Sequence, residues 1–448
     1  MVAELKIPIT LSEVAFACGT ALNKADIVRR IITDSREALM GDLFIALRGE
    51  RFNGNDHIAE AKAHGAYTLS DERSDADIFV KEVFSALAYI AAYYKSLSKS
   101  LVRTLGITGS IGKTTTKNFI SSILSGHGKV CATRGNENNR LGVPLTVLSL
   151  SPDTEYLVIE AGMNHTGELL DISRTIEPDI AMITNIGTAH IGNFKDREGI
   201  ASAKLELFSH AKEGASLLIP FGEPILTREP RFQTVATGYE PQADFSITGE
   251  LNDKGLSGFF YKKSERLFSF STKISARHLL PSLSFAFAAL YKAGIDPRKI
   301  SALTGRLSDA DTRIKVFRTG NITVIDDSYN ASRESLVGAL NYLKSFGDGL
   351  KYALIGDILE LGELAGDIHY EIGKIAAGIV DKLLVFGKHS YSLVRGACDS
   401  GLAEENITVI EDHSPEGIAE VIHSRLSCGT LLIKGSHATG LYRVCEYL

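Results

Sequence analysis

The sequence predicts an α/β protein of three domains: a small N-terminal α/β unit, a central phosphate-loop-type parallel sheet with helices on both faces and an antiparallel extension, and a C-terminal doubly wound domain. Three observations predict it. The chain has 448 residues, more than one hydrophobic core serves when domains hold about 100–200 residues each. From about residue 100 onward, short apolar runs alternate with helical patterns, and a second such series begins at Ile322; this alternation marks parallel sheets wrapped in helices. Between the two series, residues 230–275 show strand patterns separated by turn residues.

In the first segment, residues 1–82, "DLFIALRGERFNGNDHIAEAKAHGA" reads as strand, polar loop and helix. The second, residues 83–312, opens with "VFSALAYIAAYYKSL", too short to span a bilayer and read as an ordinary helix. Buried strands follow at "RTLGIT", "YLVIEAG", "IAMITNIG" and "SLLIP", and the stretch between "TRGNENNRLGVP" and "YLVIEAG" reads as loop. "FQTVATG", "ADFSITGEL", "LSGFFYKK" and "RLFSFSTKI" are expected as antiparallel strands of an extra sheet. The third segment, residues 313–448, alternates "ITVIDDSYN", "KYALIGD", "KLLVFG" and "GTLLIKG" with helices such as "RESLVGALNYLKSF" and "SPEGIAEVIHSRL".

Charged residues make up 23% and hydrophobic ones 44%, and the net charge of −6 offers no basic footprint for nucleic acid. Small-molecule partners are expected. The five cysteines, Cys18, Cys131, Cys398, Cys428 and Cys445, are scattered without a C-x-x-C pair, which suggests neither a disulfide framework nor zinc, and a reducing compartment. The N-terminal stretch lacks the charged head and apolar core of a secretory signal, and no apolar run is long enough to insert in a membrane. A cytoplasmic enzyme is the expectation.

"GITGSIGKTTTKN" carries the chemistry. Gly109 and Gly112 let the backbone curl so that N–H groups around Ser110 and Ile111 point inward, and the helix opening at Lys113 adds its positive end. Such a nest binds phosphate. Lys113 would reach the β- and γ-phosphates of ATP, Thr114 would ligate Mg²⁺, and Thr115 follows in the same turn. The loop is a variant, because Ile107 stands where the pattern G-x-x-x-x-G-K-[ST] wants its first glycine. Acids at the carboxyl ends of neighbouring strands are the natural further metal ligands. Glu160 ends "YLVIEAG", and His190 follows the next strand, where it would join a metal shell or steady an anion. A solvated acid and a locally bonded histidine are the plain alternatives.

"GITGSIGKTTT", "TRGNENNRLGVPLTVL", "VIEAGMNHTGEL", "TNIGTAHIGNF", "IASAKLELF", "IDDSYNAS", "IGDILELG" and "LIKGSHATG", in this order, resemble the Mur ligases of peptidoglycan synthesis. Among these, "DDSYNAS" and "GDILELGE" are most similar to the member that adds D-Ala-D-Ala to UDP-N-acetylmuramoyl-tripeptide. The resemblance implies an ATP-dependent ligase with a substrate-anchoring N-terminal domain, a central ATPase-like domain and a C-terminal Rossmann-like domain that closes over the nucleotide; separately, a monomer is expected. It also implies site residues. Lys204 matches a lysine carbamylated in several members to bridge a second Mg²⁺, against the alternative of an ordinary helix-face lysine. Arg313 and Asp327 look like the residues that reach the γ-phosphate and the ribose side of ATP, with helix capping the alternative for Asp327. Ser35 and Arg36 resemble the "DSR" signature of the uridine-nucleotide domain, while Asn136, Asn138 and Asn139 resemble a substrate-contacting segment.

The chain also departs from the family pattern. His278 is kept near the expected adenine position, but Leu279 and Ser282 stand where asparagines are usual. His437 replaces an arginine, and Ser332-Arg333 replaces an asparagine-proline pair. A sister ligase adding another amino acid is the runner-up. A folylpolyglutamate synthetase would lack the "DSR" domain, and a nucleotide switch would have no use for Lys204 and Asp327.

Overall fold

A computed structural model of the chain describes residues 1–49, 52–73, 75–98, 102–227, 234–347 and 349–448. Three sheets carry the fold. The first has five strands in the order Val2–Thr10, Ile27–Ile32, Leu43–Ile45, Tyr67–Ser70, Ile78–Phe79, antiparallel in its first pair and parallel thereafter. Its opening strand alternates inward-facing Ala3, Ile7 and Ile9 with outward residues. Thr10 then caps the helix Leu11–Ala17, bonding reciprocally with Glu13.

The central sheet has nine strands. Five run parallel in the order Val130–Ala132, Tyr156–Glu160, Arg103–Thr108, Ile180–Ile183, Ser216–Pro220. Side chains on a strand alternate between faces, and here both faces are buried. Leu105, Ile107, Val158 and Met182 pack against the helices Lys113–Leu124 and Leu280–Lys292, whereas Leu157, Ile159, Ala181 and Ile183 join a second core with Val83–Ser96 and Glu168–Ile176. This explains why the strands read as continuous apolar runs.

Two expectations are corrected. Residues 234–271 do not make a separate sheet: Thr234–Gly238 pairs in parallel with Ser216–Pro220, and its end pairs in parallel with Phe245–Asn252, so the antiparallel strands Gly255–Lys262 and Glu265–Ser271 lengthen the same sheet. Residues 230–233 of that expected region lie outside the described residues. The stretch read as loop contains the helix Gly142–Leu148, buried along its whole length. Tertiary burial against Val83–Ser96 overrides its glycine, proline and β-branched residues.

The third sheet has six strands in the order Lys315–Thr319, Ile322–Asp326, Gly429–Lys434, Lys351–Ile355, Lys382–Phe386, Ile407–Ile410. Only the first pair is antiparallel. Among the described residues no helix is long and apolar enough to cross a membrane.

Candidate active site

A cavity of about 640 Å³ lies between the central and C-terminal sheets, with the phosphate loop on one wall and Arg313, Asp327, Tyr329, Lys434 and Glu360 on the other. The loop's shape follows from its glycines. Gly109 has φ 142°, and a Cβ there would lie 1.9 Å from Thr184 Oγ1, so no larger residue fits. Gly112, at φ 79°, turns the chain directly into the helix Lys113–Leu124. Neighbouring groups pin the loop: Ile111 N–H donates to Asn185 Oδ1 at 2.9 Å, Thr184 Oγ1 donates to Ile111 O at 2.5 Å, and Gly187 N–H donates to Ser110 Oγ at 2.9 Å. Thr184 and Asn185 were not among the expected site residues, although both stand in "TNIGTAHIG".

Lys113 Nζ donates to Gly109 O at 2.7 Å and Ser110 O at 3.3 Å, so its ammonium folds over the loop it serves. Burial lowers its pKa, which Glu160 opposes. Thr114 Oγ1 donates to Glu160 Oε2 at 2.7 Å, and Asn138 Nδ2 donates to Glu160 Oε1 at 2.8 Å. Glu160 is therefore no solvated acid: it is 1% exposed and its backbone N–H donates to Thr133 Oγ1 at 3.0 Å. A threonine hydroxyl and a buried carboxylate form a hard-oxygen pair of the kind that suits Mg²⁺, whose remaining positions phosphates and water commonly fill. Among the described residues no group of three His, Cys, Asp or Glu is placed to hold a metal ion unaided.

Lys204, on the helix Arg197–Leu205, is 2% exposed, and its side-chain amine meets no hydrogen-bond or ion-pair partner among the described residues. Burial, reinforced by the like charge of Lys113, holds its amine well below the usual lysine range. A solvated helix-face lysine is thereby ruled out. His190 takes the left-handed conformation at φ 64°, and its Nδ1 meets the Glu360 carboxylate of the C-terminal unit.

The C-terminal wall is tied to this edge. Arg313 lies 4.0 Å over the Tyr329 ring, with one guanidinium nitrogen 3.9 Å from Glu160 Oε1. Asp327 does not cap the helix Arg333–Ser345; Ser332 does, in a reciprocal capping pair with Ser335. Asp327 Oδ2 instead accepts from Lys434 Nζ at 2.6 Å, and Lys434 also donates to Asn330 O at 3.0 Å. Glu334 Oε1 accepts from Thr188 N–H at 3.0 Å across the cleft. Lys434, Tyr329, Glu334 and Glu360 were missed by sequence reasoning, although "LIKGSHATG" and "GDILELG" contain two of them.

The other expected residues are placed differently. Asn139 Oδ1 accepts from Leu141 and Gly142 N–H at 3.1 and 2.9 Å, shaping its own turn, and Asn136 is exposed. Ser35 is buried and donates to Glu60 Oε2 at 2.6 Å, while Arg36, with 80% of its side chain exposed, pairs with Asp34. None of these four lines the cavity. His278 does, its ring 5.0 Å from Tyr342, with burial lowering its imidazole to about 4. Leu279 and Ser282 line the same wall, and His437 stacks on Tyr442.

Two α/β units that share one phosphate cradle define a nucleotide-using enzyme whose site is completed by domain docking. Residues 107–290 match the Mur ligase middle domain and residues 312–437 the Mur ligase, glutamate ligase domain. The chain belongs to the Mur ligase family, and is an ATP-dependent ligase. It is 34% identical, over 85% of each chain, to UDP-N-acetylmuramoyl-tripeptide--D-alanyl-D-alanine ligase of Bacillus subtilis (strain 168). It also superposes on a crystal structure of MurF from Acinetobacter baumannii with TM-score 0.86 at 28% identity, covering 98% of both chains. MurF ligase from Thermotoga maritima in complex with ADP gives TM-score 0.79 at 28% identity, over 93% of this chain and 96% of that one.

Proposed function

We propose that this protein joins D-Ala-D-Ala to the terminal carboxylate of UDP-N-acetylmuramoyl-tripeptide, using ATP and releasing ADP and phosphate. The observation that carries this is the meeting of Lys113 and Thr114 with Arg313 from the other unit at one cavity edge. A carboxylate and a triphosphate repel each other, so a site that joins them must neutralise charge and hold the groups in line. Lys113 exchanges its two loop carbonyls for phosphate oxygens, and Arg313 faces the γ-phosphate from the opposite wall. A tripeptide carboxylate oxygen attacks the γ-phosphorus, and ADP leaves. The amine of D-Ala-D-Ala then adds to the acyl-phosphate carbonyl, giving a tetrahedral intermediate that expels phosphate, with loss of the amine proton, to leave an amide.

Thr114 and Glu160 would hold Mg²⁺, which supplies charge neutralisation when bound; His190 would steady the same edge through Nε2, since Nδ1 faces Glu360. The suppressed basicity of Lys204 favours the neutral amine that reacts with CO₂, forming an N–C bond and losing one proton to give a carbamate, a second anionic ligand. Ser110, Ile111, Gly112 and Thr115 line the phosphate side of the cavity, and Asp327, fixed by Lys434, faces the ribose. Residues 1–82, with Ser35 and Arg36, would anchor the uridine nucleotide, residues 83–312 would bind ATP, and residues 313–448 would close over it. Asn136, Asn138 and Asn139 place their loop beside the acceptor peptide, with Asn138 also orienting Glu160. Both substrates are small molecules, each chain carries every group named, and the enzyme is assigned to the cytoplasm as a monomer.

The test is phosphate release by purified protein given ATP and UDP-muramyl-tripeptide, with and without D-Ala-D-Ala. Release that depends on both, with formation of the pentapeptide, is expected. Nucleotide hydrolysis indifferent to either substrate would overturn the proposal.

A further inference from the structure

His369 lies outside every motif singled out in the sequence and does not line the cavity, yet it is fully buried and both ring nitrogens are engaged. Its Nδ1 sits 2.6 Å from Ala365 O, one turn back in the helix Ala365–Ala377. A carbonyl only accepts, so Nδ1 carries the proton and Nε2 keeps its lone pair. That lone pair accepts the Ile358 N–H at 3.0 Å. The ring is stacked on His389 at 4.7 Å between centroids. Asp357 Oδ1 stands 3.8 Å from Nε2, and its carboxylate accepts the N–H groups of Lys388 and His389 at 2.8 and 3.0 Å.

Ile358 begins the segment that reaches the other domain. Ser436 holds the same segment from a second side, accepting from Leu359 N–H at 2.9 Å and donating its own N–H to Asp357 O at 2.9 Å. Glu360 follows in the left-handed conformation at φ 63°. Its carboxylate meets His190, and its carbonyl accepts the Gly192 N–H at 3.0 Å. The two loops touch with no slack: a Cβ on Gly192 would lie 3.0 Å from both Glu360 O and Gly362 N. A contact this close, flanked by the left-handed His190 and Glu360, forms only when the backbone that carries Glu360 is already in place.

We propose that His369 is a positioning residue for the ligase reaction, fixing the Asp357–Glu360 segment so that Glu360 docks on His190 and Gly192 and the C-terminal unit closes on the phosphate loop. This rests on the function proposed above. His369 touches no substrate; it acts through Glu360. A replacement that keeps an acceptor near Ile358 N–H should preserve the effect, and one that removes it should release the docked loop.

The experiment compares wild type, His369→Leu, His369→Gln, Glu360→Gln and the double variant His369→Leu/Glu360→Gln. His369→Leu is expected to lower kcat about tenfold, the order set by one lost buried hydrogen bond, with KM for the UDP-linked substrate unchanged. His369→Gln is expected to stay within about twofold of wild type. The double variant should be no slower than the slower single, because both changes break one contact. Multiplying effects, or a wild-type kcat in His369→Leu, would overturn the inference. Should His369→Leu fail to fold, His369→Asn takes its place, keeping a donor for Ala365 O while its shorter side chain brings no acceptor to Ile358 N–H.

Amide hydrogen exchange reads the same device without turnover. Protection at Gly192, in the other domain, is expected to fall about tenfold in His369→Leu; unchanged protection there overturns the inference whether or not the protein is active. A wild type that makes no pentapeptide while Gly192 protection falls as expected contradicts the proposed function alone.

Discussion

The central unit is joined to its two neighbours in different ways. On the N-terminal side the joint is a continuous apolar core, in which Ile7, Ile9 and Leu11 pack with Leu87, Tyr94, Val147 and Leu150. Within it the fully buried Tyr94 hydroxyl accepts the N–H groups of Lys6 and Ile7, each at 2.8 Å, and donates to Leu150 O at 3.2 Å. On the C-terminal side an apolar core also crosses the joint, through Leu280, Leu283, Leu336, Ala339 and Tyr342, but polar and charged pairs meet across the cleft: Thr188 with Glu334, His190 with Glu360, and Arg313 near Glu160. A dry core with its polar groups satisfied makes a fixed joint. Ion pairs at the rim of a cavity exchange readily with water and ligand, which suits the closing of residues 313–448 over the nucleotide in the function proposed above.

Three measurements would break or sharpen that contrast. Tyr94→Phe strands the buried Ile7 N–H, the half-buried Lys6 N–H and the Leu150 carbonyl, and should cost on the order of 3 kcal/mol of stability in denaturant unfolding while leaving kcat intact. A Tyr94→Phe protein of unchanged stability would remove the distinction between the joints. Arg313→Ala should show the reverse, a loss of about 10²-fold in kcat from one missing transition-state contact with little change in the unfolding midpoint. If it unfolds the protein instead, the C-terminal joint is structural.

The smallest effect is one of pH. Burial takes the His278 imidazole, on the cleft wall beside Tyr342, down to about 4 from its ordinary 6.5. Between those values the unfolded chain binds the proton and the folded one does not, so stability is intact above pH 6.5 and falls as the pH drops towards 4. Allowing for its partial exposure, the loss should be about 2 kcal/mol. His278→Phe should flatten that part of the pH–stability curve, and an unchanged slope would return the effect to other groups.

Much of this was legible in the sequence because it is local. "RTLGIT" and "SLLIP" coincide with the strands Arg103–Thr108 and Ser216–Pro220, and the glycine loop lies where its residues put it. The helix Gly142–Leu148 was not legible, since its propensities argue against it and only burial on Val83–Ser96 makes it. The strand Val2–Thr10 did carry a usable signal, the two-residue alternation through Ala3, Leu5, Ile7 and Ile9. In the site, Lys113, Thr114 and Glu160 could be named because each follows from a loop or a strand end. Other pairings could not: Asp327 meets Lys434 from 107 residues away, and Thr188 meets Glu334 from 146. The first depends on which strands lie side by side in the C-terminal sheet and the second on how two sheets dock, and no local spacing encodes either. Resemblance gave Asp327 a place at the nucleotide, while physics alone offered a helix cap that Ser332 in fact supplies.

The most direct test of the chemistry labels the terminal carboxylate of the tripeptide with ¹⁸O. If that carboxylate attacks the γ-phosphorus of ATP, one labelled oxygen must leave with the phosphate when the amide forms, and mass analysis of the released phosphate should find it there. Phosphate released without label, while pentapeptide accumulates, would contradict the acyl-phosphate route on which every role assigned to Lys113 and Arg313 depends.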